Sequence, residues 1–77
     1  MVLSELKLGE TAQIVSFLDD LLAIKLLEMG CLPGTVVRMV QKAPLGDPIC
    51  ITINGDYQLS LRLDEAAKVA LTKEAAN

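Results

Sequence analysis

The chain has 77 residues, of which 52% are hydrophobic and 3% are aromatic, and its formal net charge is −3. This length predicts a single domain over residues 1–77 with one small core. The negative charge and the absence of adjacent basic residues exclude a nucleic-acid-binding protein and one that binds an anionic membrane, because both depend on clustered Lys and Arg.

The first predicted strand lies near the start of the chain. Leu6 and Leu8 alternate with polar neighbours before Gly9 turns the chain. Residues 12–17 then alternate in the manner of a β-strand, with apolar residues on both faces. We therefore expect this strand to be covered on both sides along part of its length.

A short helix follows this strand. Asp19 and Asp20 precede an apolar stretch over residues 21–29, and an Asp side chain caps a helix start by accepting hydrogen bonds from unpaired amides. Gly30 is suited to the left-handed residue that ends a helix, and the turn over residues 31–34 contains a Pro-Gly pair. The pattern predicts two to three helical turns, too few to be stable without packing on the rest of the domain.

The rest of the chain contains further strands separated by turns. A loop over residues 43–48 has two prolines and a glycine, and Asn54-Gly55 is typical of a type I′ hairpin turn. The β-branched and alternating segments predict four more strands, at residues 35–42, 49–53, 56–62 and 68–71.

The last connection is predicted to be a single helical turn over residues 64–67, capped by Asp64. Residues 72–77 are predicted to be a frayed polar tail. Five short antiparallel strands in so small a chain must curl to hide their edges and one apolar face. The predicted fold is all-β: a small SH3-like five-stranded barrel with one helix after the first strand and a helical turn before the last.

Three sequence strings carry a family resemblance. Glu28 to Gly34 reads EMGCLPG, Ala43 to Ile49 reads APLGDPI, and Leu59 to Ala66 reads LSLRLDEA, after an opening LKLG at Leu6 to Gly9. In this order and spacing the chain resembles the FeoA family of ferrous iron transport proteins over residues 3–71.

The resemblance implies a cytoplasmic accessory protein with an SH3-like barrel that works beside a FeoB-type ferrous iron permease. The implied partner is the permease's cytosolic GTPase domain or its cytoplasmic loops. The alternative is a free-standing regulatory domain related to the C-terminal domain of iron-dependent repressors, acting by metal sensing or self-association. Unpaired strand edges also make a homo-oligomer plausible.

Neither catalysis nor a resident metal is indicated. The chain has no His, and its two cysteines, Cys31 and Cys50, match no zinc-site spacing. A phosphate-binding loop is also missing, so we predict neither an enzyme nor a cofactor. We interpret both cysteines as apolar packing residues in a reducing cytosol, since a secretory cleavage site is lacking and the longest apolar stretch is too short to cross a membrane.

A peptide-binding SH3 module is disfavoured, because a proline-peptide groove needs aromatic walls and only Phe17 and Tyr57 are available. The better candidate surface is the helix, whose apolar residues exceed the stripe of about 100° that packing on a barrel requires. Some of Leu21, Leu22 and Met29 should lie near solvent, forming a partner-binding patch beside Lys25, unless the 43–48 loop or the N-terminal segment covers them.

Two further contacts are predicted outside the helix. Pro44 and Leu45 in the 43–48 loop form a candidate second contact, the alternative being a stiff hairpin connection. Arg62 either pairs locally with Asp47 or Asp64 or meets an acidic group of the partner.

Overall fold

The computed structural model describes residues 1–73. Its elements are a 3₁₀ turn at Leu3–Glu5, β1 (Thr11–Phe17), α1 (Asp20–Glu28), β2 (Val36–Lys42), β3 (Ile49–Ile53), β4 (Tyr57–Leu61), α2 (Leu63–Ala66) and β5 (Val69–Lys73). Their order confirms the predicted all-β fold with one helix after the first strand. The 3₁₀ turn at the start of the chain was not predicted.

The five strands form one antiparallel sheet in the order β4-β3-β2-β1-β5. The register shifts between Met39 and Gln41 in β2, which leaves Val40 as an extra, exposed residue. Bulges of this kind bend a strand and increase its twist. They help so short a sheet to curl around a single core.

A second register shift lies in β1, between Ile14 and Ser16. It leaves Val15 exposed, so the expectation that this strand is covered on both faces is wrong at that residue. By simple alternation, Phe17 would lie on the face of the strand opposite to Ile14. Because it follows the register shift, Phe17 instead packs against the core. The bulge, rather than a second covering layer, explains the apolar residues on both faces of the sequence pattern.

One hydrophobic cluster fills the inside of the sheet. It takes the inner face of every strand, the inner side of α1 and the N-terminal segment: Leu3, Leu6, Ala12, Ile14, Leu22, Leu26, Cys31, Val37, Met39, Ile49, Ile51, Ile53, Leu59, Leu61, Ala66, Val69 and Leu71. The three isoleucines of β3 share one buried face, as their alternation predicts. Burial of each such aliphatic side chain stabilises the folded state by about 1.5–3 kcal/mol.

Short sequence motifs determine the ends of α1 and the turn between β3 and β4. The Asp19 carboxylate accepts a hydrogen bond from the Leu22 amide at 2.9 Å, which confirms Asp19 as the N-cap of α1. Gly30 has φ +85° just past the C-terminal end of this helix. Asn54 and Gly55 have φ of +51° and +69°, the two positive values that a type I′ turn requires.

The prediction that Asp64 caps the second helix is wrong. Arg62 is the N-cap residue of α2, and its amide donates to Glu65 Oε1 at 3.0 Å. The next amide, that of Leu63, donates to Asp47 Oδ1 in the β2–β3 loop at 2.9 Å. A carboxylate distant in sequence therefore supplies the cap that Asp64 was expected to supply.

The last strand is longer than predicted, because its pairing with β1 continues to Lys73 opposite Ala12. Thr72 and Lys73 thus belong to the sheet, and the rest of the predicted frayed tail lies outside the described residues. Val2 bridges Ala70 on the other side of β5, and the Met1 carbonyl accepts from the Leu71 amide at 2.7 Å.

Over residues 1–73, no helix has the length and apolar character needed to cross a bilayer.

Candidate partner-binding surface

The helix α1 has one buried and one exposed apolar side. Leu22 and Leu26, one turn apart, point into the core. Because residues on opposite sides of a helix cannot face the same layer, their burial turns Leu21, Ile24 and Leu27 towards solvent. We call these three residues the outer face of α1; Leu21 is 80% exposed at its edge.

Further exposed apolar side chains flank the helix in sequence. Leu18 precedes α1, and Met29 and Leu32 follow it. They add to the exposed apolar side chains in and next to this helix, and contiguous exposed apolar surface is a feature of interaction sites.

The residues predicted for this patch differ in their exposure to solvent. Leu21 and Met29 lie at the surface, whereas Leu22 is a core residue that is 6% exposed. Ile24 and Leu27 were missed. The signal that could have found them is the i, i+4 pair of Leu22 and Leu26, which selects the buried side and leaves the opposite side exposed.

A groove of about 230 Å³ separates α1 from the α2–β5 region. It is lined by Asp19, Leu21, Leu22, Lys25, Glu65 and Lys68. Across it, Lys25 Nζ lies 2.7 Å from Glu65 Oε2. The hydrogen bond from Lys25, followed by that from the Arg62 amide, holds the pKa of the Glu65 carboxyl below its ordinary value. Lys25 was predicted to lie beside a partner-binding patch. Its charge is instead neutralised within the domain by Glu65.

The β2–β3 loop forms a separate exposed site. The Ala43 amide donates to the Pro48 carbonyl at 3.0 Å, and the Gly46 amide donates to the Ala43 carbonyl at 2.7 Å, so the loop is closed by its own backbone. Pro44 is exposed, and Leu45 at the tip is 95% exposed. These two residues are carried by a different element from the outer face of α1.

Arg62 is exposed and does not form the predicted local ion pair. Asp47 accepts instead from the Leu63 amide, and Asp64 accepts from the Glu65 amide at 2.9 Å. Each carboxylate accepts a hydrogen bond from a backbone amide, and neither forms an ion pair with the guanidinium of Arg62.

The two cysteines are free thiols. Cys31 is a core residue, and its burial raises the pKa of its thiol, which keeps it protonated and apolar in character. Cys50 is half-buried, with its sulfur 3.7 Å from Gln58 Oε1. In the part of the chain that the structure describes, no three Cys, Asp or Glu side chains are grouped to hold a metal ion.

Comparison with known proteins identifies relatives in sequence. The model of the FeoA domain matches residues 1–73. The chain is 40% identical over 78 aligned residues to an Fe(2+) transport protein A/Fe(2+) transporter FeoB fusion protein of Porphyromonas gingivalis. All of this chain is covered, but it spans only 9% of that fusion protein's length.

Solved structures show the same fold. The FeoA protein of Chlorobium tepidum superposes with a TM-score of 0.90 and 33% identity, covering 100% of this chain and 73% of that one. The FeoA of Stenotrophomonas maltophilia, crystallised with zinc and described as a procaryotic SH3 domain protein, has a TM-score of 0.80 and 38% identity, with 94% and 89% coverage. These matches support the SH3-like architecture.

A manganese-dependent transcriptional repressor also superposes, with a TM-score of 0.83 over 96% of this chain and 41% of its own. It is only 13% identical, so the likeness concerns the fold alone.

Proposed function

Because the chain belongs to the FeoA family of ferrous iron transport proteins, we propose that it is an accessory protein that binds a FeoB-type ferrous iron permease and modulates iron uptake. It acts by protein–protein contact, without catalysis and without a cofactor. Its place is the cytoplasm, where it contacts the permease's cytosolic GTPase domain or its cytoplasmic loops.

The fusion relative is the observation that carries this proposal. In that protein an Fe(2+) transport protein A and the transporter FeoB are parts of one polypeptide, and the whole of the present chain aligns with it at 40% identity. Fusion holds two domains at a high effective concentration, an arrangement that favours even a weak contact between them.

The outer face of α1 supports the proposal by offering a surface for that contact. A helix whose inner residues are fixed in the core presents its exposed aliphatic side chains on a rigid backbone, so little backbone entropy is lost on binding. Lys25, Leu21 and Met29 lie on or beside this face. Pro44 and Leu45 of the β2–β3 loop, and the exposed Arg62, form a second, separate contact in the same proposal.

The repressor-like alternative receives no comparable support. The similarity is one of fold, and within residues 1–73 the cysteines and carboxylates form no metal-binding group. Self-association is a separate proposal, supported by the outer edge of β4, which has no neighbouring strand within residues 1–73.

The proposal is tested by calorimetric titration of the purified chain into the cytosolic domain of the matching FeoB-type permease and into the full-length permease, with and without a non-hydrolysable GTP analogue. We expect saturable binding to at least one form. A dependence on the nucleotide would place the contact on the GTPase switch regions. An absence of binding to both forms at high micromolar concentration would overturn the proposal.

A further inference from the structure

The unpaired charges along the outside of α1 are acidic. Asp20, Ile24 and Glu28 follow one another at intervals of four residues, so they lie along one ridge of the helix. Both carboxylates belong to exposed residues, and neither forms an ion pair with any residue in 1–73. The nearby basic residue of the helix, Lys25, is already paired with Glu65.

This arrangement has a defined size. Glu28 lies eight positions after Asp20, which corresponds to about 12 Å along a helix axis at a rise of about 1.5 Å per residue. Ile24 lies midway between them, with Leu21 and Leu27 on either side of the ridge. The surface is therefore an apolar centre with a carboxylate at each end.

We propose that this surface binds an amphipathic basic helix in the cytosolic part of the permease, an inference that rests on the proposed function. The bound helix places its apolar stripe on Leu21, Ile24 and Leu27. It carries a Lys or Arg at each end of that stripe, about two turns apart, to meet Asp20 and Glu28.

The spacing of the apolar residues favours a helix as the occupant. Leu21, Ile24 and Leu27 form an i, i+3, i+6 series, and such ridges pack into the grooves of a second helix. The sign of the charge decides the chemistry of that helix, because complementary charges speed association and like charges oppose it.

Charge also argues against two other occupants. A second copy of this chain, paired through the same face, would bring the carboxylates of Asp20 and Glu28 against one another in either helix orientation. An anionic membrane surface would be repelled by the same two groups. The two carboxylates therefore favour a partner with basic side chains.

The test uses neutralising variants of the two acids. Asp20→Asn, Glu28→Gln and the double variant are titrated into the permease's cytosolic domain, or into the full-length permease if only that form binds. Asp56→Asn, an exposed acid on the β3–β4 hairpin, is the matched control. Each single variant should weaken binding about two- to fivefold and the double variant about tenfold, and the control should leave affinity unchanged.

Salt gives a second readout. Raising the ionic strength from about 0.05 M to about 0.5 M should weaken wild-type binding and leave the double variant nearly unaffected, because the interaction being screened has been removed.

Glu28→Gln is the more informative single change. An acid at a helix C-terminus is unfavourable to the helix dipole, so this variant keeps its stability while losing affinity.

The outcomes separate the two proposals. Wild-type binding that neither salt nor the double variant alters would overturn the basic-helix inference and leave the accessory function intact. Tighter binding by the double variant would indicate an acidic partner and also overturn it. Dimerisation of the wild-type chain that Ile24→Gln abolishes would assign the face to a second copy. Failure of the wild type to bind any form of the permease would overturn both proposals.

Discussion

The hydroxyl of Tyr57, at the start of β4, donates a hydrogen bond to the carbonyl of Met29, the C-cap residue of α1. The carbonyls of the last helical turn have no partner within the helix, so this bond satisfies one of them. It also ties the C-terminal end of a nine-residue helix to the far side of the sheet. The outer face is thus anchored by Leu22 and Leu26 from below and by Tyr57 at its end.

The contribution of this bond can be measured directly. Tyr57→Phe removes the hydroxyl and leaves the ring, so it should lower the free energy of unfolding by about 1 kcal/mol. Urea denaturation followed by circular dichroism measures the change. An unchanged midpoint and slope would show that the bond does not stabilise the helix end.

The same contact predicts a coupling between Tyr57 and Gly30. A Cβ at Gly30 would lie 2.7 Å from the Tyr57 hydroxyl oxygen but 3.9 Å from the ring carbon that bears it. Gly30→Ala should therefore cost more in the wild type than in a Tyr57→Phe background, where only the φ of +85° remains unfavourable, by about 1–2 kcal/mol. A double-mutant cycle of unfolding free energies checks this, and equal costs in both backgrounds would contradict it.

The Lys25–Glu65 pair predicts a pH dependence of stability. The pKa of Glu65 in the folded protein lies below its ordinary value of 4.5, because Lys25 and the Arg62 amide donate hydrogen bonds to the carboxylate. A folded-state pKa below the unfolded one gives stabilisation that is complete above the unfolded pKa and is lost as the pH falls through the folded pKa.

Lys25→Met should therefore destabilise the protein by about 0.2–1 kcal/mol at about pH 7. The difference from the wild type should diminish as the pH is lowered from about 7 towards about 2, because protonation of the Glu65 carboxyl removes the charge that Lys25 contacts. Thermal unfolding at both pH values measures it. A difference that persists undiminished in acid would mean that the Lys25 stem, rather than its charge, stabilises the fold.

The cap that Asp47 provides to α2 gives a matched pair of variants. Asp47→Ala leaves the Leu63 amide without its acceptor and should cost about 1 kcal/mol, whereas Asp47→Asn keeps an oxygen in place and should cost less. Unfolding free energies of the two variants make the comparison. If both lost the same stability, the charge and not the hydrogen bond would be the stabilising part.

The architecture could be predicted from the sequence because its signals are local. The alternation of Ile49, Ile51 and Ile53, the Asn54-Gly55 turn and the Asp19 cap each determine one element through neighbouring residues. Capping of α2 could not be predicted in this way, since its acceptor, Asp47, lies 16 residues before the Leu63 amide.

Only part of the candidate surface could be predicted, because it too depends on contacts between residues that are distant in sequence. The apolar excess of the helix indicated an exposed patch, but periodicity alone could not decide which side of the helix would be buried. Packing of Leu22 and Leu26 decided it and exposed Ile24 and Leu27. The pairing of Lys25 with Glu65, 40 residues away, then changed the sign of the unpaired charge beside the patch.

The most direct test of the account compares two exposed leucines. Leu21, on the outer face of α1, is 80% exposed, and Leu8, in the turn before β1, is 61% exposed. Neither belongs to the core cluster, so Leu21→Gln and Leu8→Gln should both fold with nearly wild-type stability.

Each variant is titrated by calorimetry into whichever form of the permease binds the wild-type chain. We predict that Leu21→Gln weakens binding at least about tenfold, since it removes an apolar contact of roughly 1.5–3 kcal/mol, and that Leu8→Gln binds like the wild type. Equal affinities for the two variants would contradict the assignment of the outer face of α1 as the permease contact.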